Sequence, residues 1–218
     1  MNVVISGTSS GIGLATAQKF LAEGHQVFGF DTNEAVLEHP AYTHVVHDIR
    51  NNLPAEALTM PEPEVVVHNA GTQDDASAIE TNLEGTIRFN ECFMDSPSLK
   101  AIVFVASASA RNGSEFPRYV ASKAGLIGYM KNCALKLAAR GVVVNSVSPG
   151  GVVTPVNQHI LDNEELYAAV KDETLTCKWA EAEEIADLVY FLAVENRSIV
   201  GEDILIDNGE MLKSNFIW

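Results

Sequence analysis

Tyr119 and Lys123 stand four residues apart in the run Tyr119-Val120-Ala121-Ser122-Lys123. On a helix, residues at i and i+4 share a face, so a phenol and an ammonium would converge on one small volume. A Tyr hydroxyl ordinarily titrates near about 10. A neighbouring cation favours the phenolate and draws that value down. Tyr119 would then move a proton near neutral pH, which is general acid–base chemistry. The same spacing also describes a solvated helix face. It gains meaning only beside a cofactor site and an oxygen donor.

A cofactor site is suggested at the start of the chain. Residues 2–6 read as a short buried strand rich in β-branched residues. The turn Gly7-Thr8-Ser9-Ser10-Gly11-Ile12-Gly13 follows. A helix then runs to about Glu23, with Leu14, Ala17 and Leu21 on one stripe and Gly24 at its end. A second strand, Gln26 to Phe30, ends in Asp31. Strand, glycine turn, helix, strand and acid form the order of a dinucleotide-binding unit, here with the spacing G-x-x-x-G-x-G. Free N–H groups at the helix start would meet a pyrophosphate. Asp31 would accept hydrogen bonds from the adenosine ribose.

These residues need a frame. Candidate strands lie near 2–6, 26–30, 43–47, 64–68, 101–106, 142–147 and 203–206, alternating with helices to the end. The expected fold is α/β: a doubly wound parallel sheet of six to seven strands, the first six parallel. One domain spans 1–218, with no linker or repeat. Three intervals are short: Asp31 to Asp48, Leu53 to Pro63, and Gly71 to Asn82. The peripheral helices on one side should be trimmed, and Thr72-Gln73-Asp74-Asp75 should be a short loop.

With these pieces the chain resembles the short-chain dehydrogenase/reductase family over nearly its whole length. Ser6 to Gly13 matches T-G-x-x-x-G-x-G except for Ser at the first position. Asn69-Ala70-Gly71 matches the N-A-G motif after the fourth strand, and Tyr119 to Lys123 matches Y-x-A-S-K. Asn145 to Thr154 fits N-x-V-x-P-G-x-V-x-T, and Asn82 matches the family's helical asparagine. The family's serine falls on Ser107, where an apolar strand ends. Ser109, two residues on, is the other candidate and reads as a loop hydroxyl.

The resemblance implies a catalytic set of Asn82, Ser107, Tyr119 and Lys123. Tyr119 would be the acid–base. Lys123 would steady its phenolate and hold a ribose hydroxyl. Ser107 would bind the substrate oxygen, and Asn82 would support a water leading to the lysine. For the cofactor it implies Gly7, Thr8, Ser9, Ser10, Gly11 and Ile12 at the phosphates and Asp31, Asp48 and Ile49 at the adenosine. Asn69, Ala70, Gly71, Tyr119, Lys123, Pro149, Gly150, Val152 and Thr154 complete the set. Asp31 would repel a 2′-phosphate, and no cation stands at Thr8, Ser9, Ser10, Thr32 or Asn33, so NAD is expected over NADP. The expected activity is hydride transfer between a nicotinamide and a secondary alcohol or ketone. A non-catalytic NAD-binding protein of the same fold is the alternative, and an epimerase or dehydratase of the related longer family is a third.

Composition narrows the partners. The net charge of −15 argues against nucleic acid and anionic membranes. No apolar run approaches the ~18 residues of a membrane helix. Cys92, Cys133 and Cys177 are widely spaced and read as reduced thiols. His39, His44 and His47 do not suit a metal site, since strand residues 44 and 47 point to opposite faces. A cytoplasmic protein without a leader is expected. The segment 156–178 should be the substrate lid. Its acids disfavour polyanionic substrates, while Arg111 and Arg118 could meet a small carboxylate. Apolar residues on several faces of the helices near 79–94 and 119–140, and the tail ending Phe216-Ile217-Trp218, point to a homodimer or homotetramer.

Overall fold

The computed structural model describes residues 1–213. Its strands, in chain order, are β1 (Asn2–Ser6), β2 (Gln26–Asp31), β3 (Tyr42–Val46), β4 (Val65–His68), β5 (Ala101–Val105), β6 (Val143–Pro149), β7 (Val152–Val153), β8 (Ala180–Glu181) and β9 (Asp203–Ile206). Seven of them form one sheet in the order β3-β2-β1-β4-β5-β6-β9. Every neighbouring pair is parallel, β6 with β9 included. The expected parallel sheet therefore extends to its last strand. The central strands are apolar on both faces: Val3 to Ile5, Val65 to Val67 and Ala101 to Val105 are all buried. That continuous pattern is what helices on both faces of a parallel sheet require.

Two cores fill the two faces. Phe20, Leu21, Ile185, Val189 and Leu192 lie on one side. They come from α1 (Gly11–Ala22), from α7 (Ala182–Tyr190) and from a π-helical turn that continues it. Ala15, Ala182 and Ala186 let the two helices meet closely. The opposite face holds Phe89, Phe93, Leu126, Met130 and Leu137. These come from α2 (Thr86–Glu91) and its end, and from α4 (Pro117–Leu137). A short α3 (Ser109–Asn112) precedes α4.

The trimmed intervals are as short as their length demanded. No helix connects β2 to β3, and only a 3-10 turn, Ala55–Thr59, lies between β3 and β4. The helix expected near 79–94 is not regular. It begins as a π-helical stretch, Ile79–Gly85, before α2. Gly125 of α4 is the reason it can approach so near: a Cβ there would lie 2.9 Å from Leu83 Cδ2. The helix-weakening glycine thus makes room for a neighbour.

The β7–β8 ladder was not foreseen. Val152 pairs with Ala180 and Val153 with Glu181. It closes the two ends of the expected lid, which contains α5 (Gln158–Leu161) and α6 (Glu164–Asp172). The apolar tail residues Phe216, Ile217 and Trp218 lie outside the described residues.

Candidate active site

At the carboxyl ends of β1 and β4 the strand order reverses. Such a switch point opens a crevice in doubly wound sheets. A cavity of about 630 Å³ occupies it here. Its walls include Gly7, Ser10, Gly11, Ile12, Asp31, Asp48, Ile49, Asn69, Ala70 and Gly71. They also include Ser107, Tyr119, Lys123, Pro149, Gly150, Val152 and Thr154. Nearly all of the expected site residues are therefore brought to one cavity from elements far apart in sequence.

Three expected residues do not reach it. Thr8 is fully buried, and its hydroxyl is hydrogen-bonded to Tyr42 at 2.9 Å. Ser9 is turned outward: its N–H donates to Asp31 Oδ2 at 2.9 Å and its hydroxyl to the Glu34 carbonyl at 3.0 Å. Both brace the glycine turn and Asp31 from behind. Asn82 is 1% exposed, so it is no surface residue. Its amide is spent on other partners: Nδ2 donates to the Thr72 carbonyl and to Ser122 Oγ, and Oδ1 accepts from the Thr72 N–H at 2.7 Å. It ties the loop after β4 to the helix that carries Tyr119.

The glycine turn fits a phosphate-bearing ligand. Gly7 has φ of +79°, and a Cβ on it would lie 2.7 Å from Asn69 Nδ2. A Cβ on Gly13 would lie 1.9 Å from the Gly7 carbonyl oxygen. The turn therefore folds directly onto the N-A-G segment, where Asn69 Nδ2 donates to the Gly7 carbonyl at 3.0 Å. No side chain caps α1 at Ser10. Its free N–H groups, at the positive end of the helix dipole, face the cavity. Asp31 stands at the far end, its carboxylate also accepting from the Asn33 N–H at 2.9 Å.

Tyr119 and Lys123 do lie on one helix, α4, and both are buried. Pro117 opens that helix, and Asp75 caps it from a separate loop. Asp75 Oδ1 accepts the Arg118 N–H at 2.7 Å and the Tyr119 N–H at 3.3 Å. Nothing in the sequence marked Asp75 for this. Lys123 Nζ donates to the Val105 carbonyl at 2.9 Å and sits 5.9 Å from the Tyr119 ring centre.

The electrostatics run against the expectation drawn from the pair. Burial pushes the Tyr119 hydroxyl up to about 12. The nearby Ser107 hydroxyl pulls it down, and the charge of Glu115 adds to the rise. Burial pulls Lys123 down to about 8, against the attraction of Glu115. Loss of water outweighs any help from the ammonium, because desolvation penalises both charged forms at once.

Ser107 rather than Ser109 faces Tyr119. Ser109 is not a loop hydroxyl; it is buried at the start of α3. Its Oγ–H donates to Ser107 Oγ at 2.8 Å, and its N–H does so at 3.2 Å. With two donors behind it, the Ser107 hydroxyl lines the same cavity as Tyr119. Arg111 takes no part in the cavity, being paired with Asp203 at 2.6 Å.

Comparison with known proteins places this arrangement. A family model described as enoyl-(acyl carrier protein) reductase matches residues 7–210. The chain is 31% identical to glucose 1-dehydrogenase of Gluconobacter oxydans over 98% of its length and 93% of that protein. The chain belongs to the short-chain dehydrogenase/reductase family. It is 29% identical to the 3-oxoacyl-(acyl-carrier-protein) reductase FabG of Salmonella typhimurium, over 95% of this chain and 96% of that protein. A solved structure of 4-hydroxyisoleucine dehydrogenase complexed with NADH superposes with a TM-score of 0.88 at 25% identity, covering 98% of this chain and 99% of that one. These family members are by name dehydrogenases and reductases, and the chain is an oxidoreductase of that kind. The aldohexose dehydrogenase of Thermoplasma acidophilum shares the fold with a TM-score of 0.89, at 24% identity over 100% of this chain and 96% of that one.

Proposed function

We propose that the chain is an NAD-dependent oxidoreductase that interconverts a secondary alcohol and a ketone, with Tyr119 as the general acid and base. The observation that carries this reading is the convergence of Tyr119, Lys123 and the hydrogen-bonded pair Ser109–Ser107 on the cavity that also holds the glycine turn and Asp31. A nicotinamide dinucleotide, when bound, supplies a hydride acceptor or donor. Gly7, Ser10, Gly11 and Ile12 would hold its phosphates. Asp31, Asp48 and Ile49 would hold its adenosine. Asn69 to Gly71 and Pro149 to Thr154 would enclose the rest.

In oxidation, Tyr119 accepts the hydroxyl proton of the alcohol. In reduction it returns that proton to the carbonyl oxygen. Ser107 donates to the same oxygen and steadies its developing charge. Lys123 would hold the cofactor ribose and offsets the phenolate. The positive charge of an oxidised nicotinamide would draw the raised Tyr119 pKa back down. Asn82 acts through Thr72 and Ser122 as a positioning residue. Asp31 favours a 2′-hydroxyl over a 2′-phosphate, so NAD is preferred to NADP.

The working form is a homotetramer or homodimer. Leu135 on the outer face of α4 is 80% exposed, and Ala124 and Gly128 are exposed beside it. A second copy of α4 would cover them. The compartment is the cytoplasm, in keeping with the free thiols Cys92, Cys133 and Cys177. A panel of secondary alcohols and ketones assayed with NAD(H) tests the activity. Turnover that disappears in Tyr119→Phe supports it. A substrate turned over equally well by that variant would overturn the role of Tyr119.

A further inference from the structure

We propose that the substrate of this site carries an ammonium group, received by Glu115 and Glu210 between the aromatic walls Phe116 and Trp179. This rests on the oxidoreductase reading of Tyr119 and adds the chemical class of the molecule that reacts there.

All four side chains line the cavity that contains Tyr119. Glu173 lines it as well. Among the described residues Lys123 is the one lysine or arginine in those walls, and its Nζ already donates to the Val105 carbonyl. None of Glu115, Glu173 and Glu210 is in an ion pair among the described residues. The cavity therefore sets three carboxylates against one cation, Lys123, whose charge reaches Glu115, and leaves negative charge in excess.

The charges press on one another. Burial, and then the charge of Glu210, lift the Glu115 carboxyl above its ordinary value. Burial lifts Glu210 too, followed by Asp207, with Glu173 adding a smaller push. Glu210 lies close to the backbone: a Cβ on Gly150 would come within 2.8 Å of Glu210 Oε2. A cation relieves this repulsion. A neutral polyol leaves it in place, and an anion makes it worse.

The aromatic walls point independently to the same ligand. Phe116 follows Glu115 directly and is 54% exposed, a large ring at the cavity mouth. Trp179 is pressed against Gly151, where a Cβ would lie 2.2 Å from Nε1. Aromatic faces beside carboxylates attract ammonium groups, the quaternary ones most distinctly. Glu115 itself holds a left-handed backbone, φ 80°, rare for a side chain of its size.

The reaction balances without the ammonium. A bound nicotinamide would take the hydride of the carbinol carbon, and the Tyr119 phenolate takes the hydroxyl proton. A ketone results, and the ammonium keeps its charge throughout.

The test compares three alcohols binding to the NADH-loaded protein, in which an alcohol binds without reacting. They are (2-hydroxypropyl)trimethylammonium, its neutral isostere 4,4-dimethylpentan-2-ol, and the anion 3-hydroxybutyrate, all followed by calorimetry. The cation should bind at least about tenfold more tightly than the neutral isostere. The anion should bind most weakly. Glu115→Gln and Glu210→Gln should each bring the cation-to-neutral ratio closer to one. A ratio at or below one in the unaltered protein would overturn the proposal, as would no measurable binding of the cation. The unaltered protein decides the matter even if a variant fails to fold. Turnover of the neutral isostere with NAD, lost in Tyr119→Phe, would keep the oxidoreductase reading whatever the charge preference proves to be.

Discussion

At the nucleotide end of the cavity the chain offers mainly backbone. Gly7 and Gly13 press onto Asn69 and Ala70, and α1 presents uncapped N–H groups. At the substrate end it offers side chains: Glu115, Phe116, Trp179 and Glu210. A backbone cradle demands glycine at fixed spacing, because any Cβ would collide. A side-chain wall demands only that suitable residues arrive at one place, from any part of the chain. The first end is therefore tightly specified and generic, while the second is loosely specified and particular to one substrate.

The largest test of this contrast falls on the chemistry between the two ends. Tyr119→Phe keeps the ring and removes the proton. Turnover should fall by about 10²–10⁴-fold or more, while NADH titration by fluorescence should give nearly the original affinity. A matching fall in NADH affinity would mean that the two ends are not separable.

Gly13→Ala attacks the backbone end. A methyl group 1.9 Å from the Gly7 carbonyl cannot be accommodated without moving the turn. Denaturant melts should show a loss of roughly 3 kcal/mol or more, and NADH binding should be lost with it. A variant as stable as the parent would show that the cradle yields.

Lys123 lies at the seam, and its sign can be worked out. In the unfolded chain it holds its proton up to about 10.5, and in the cofactor-free fold it releases it at about 8. Between those values the unfolded state binds more protons, so stability rises with pH across that window. Below it the buried charge is a standing cost. Lys123→Met should stabilise the cofactor-free protein at pH 7 by on the order of 2 kcal/mol. The advantage should shrink to nothing above about pH 11. Melting curves at pH 7 and at high pH check both parts. A destabilised variant at pH 7 would show that the bond to Val105 outweighs desolvation.

Asp31→Ala acts at the outer edge of the nucleotide end. The ratio of NADPH to NADH dissociation constants should narrow by about tenfold. The smallest effect belongs to Glu115→Gln. Glu115 raises the Tyr119 pKa, so its removal should move the rising limb of alcohol oxidation to lower pH, by less than about one pH unit. A shift to higher pH would contradict the assigned charge.

What the sequence disclosed follows the same division. Strands buried on both faces, the glycine turn and the spacing of Tyr119 and Lys123 are local patterns, and they led to the sheet and to the cavity. Thr8 and Ser9 adjoin the glycine turn in sequence but do not line the cavity. Which atoms of a turn face outward depends on Tyr42 and Asp31, which approach from other strands. The direction of the Tyr119 shift was misjudged because spacing reveals the neighbouring charge but not the water removed from both. Ser109 was passed over for the same reason: only the start of α3 turns it back onto Ser107. Asp75, Glu115 and Glu210 carry no local signal, since each matters through a partner brought near by the fold.

The β7–β8 ladder gives this division a mechanical form. Val152–Val153 and Ala180–Glu181 meet where the proposed lid leaves the sheet and where it returns. The chain between them is a closed loop on a fixed base, so changing its length alters closure entropy only with the logarithm of that length. The proposed lid is thus an exchangeable cassette. Insertions or replacements within it can retune the substrate end while the ladder keeps the disturbance from the seven strands that hold the nucleotide end.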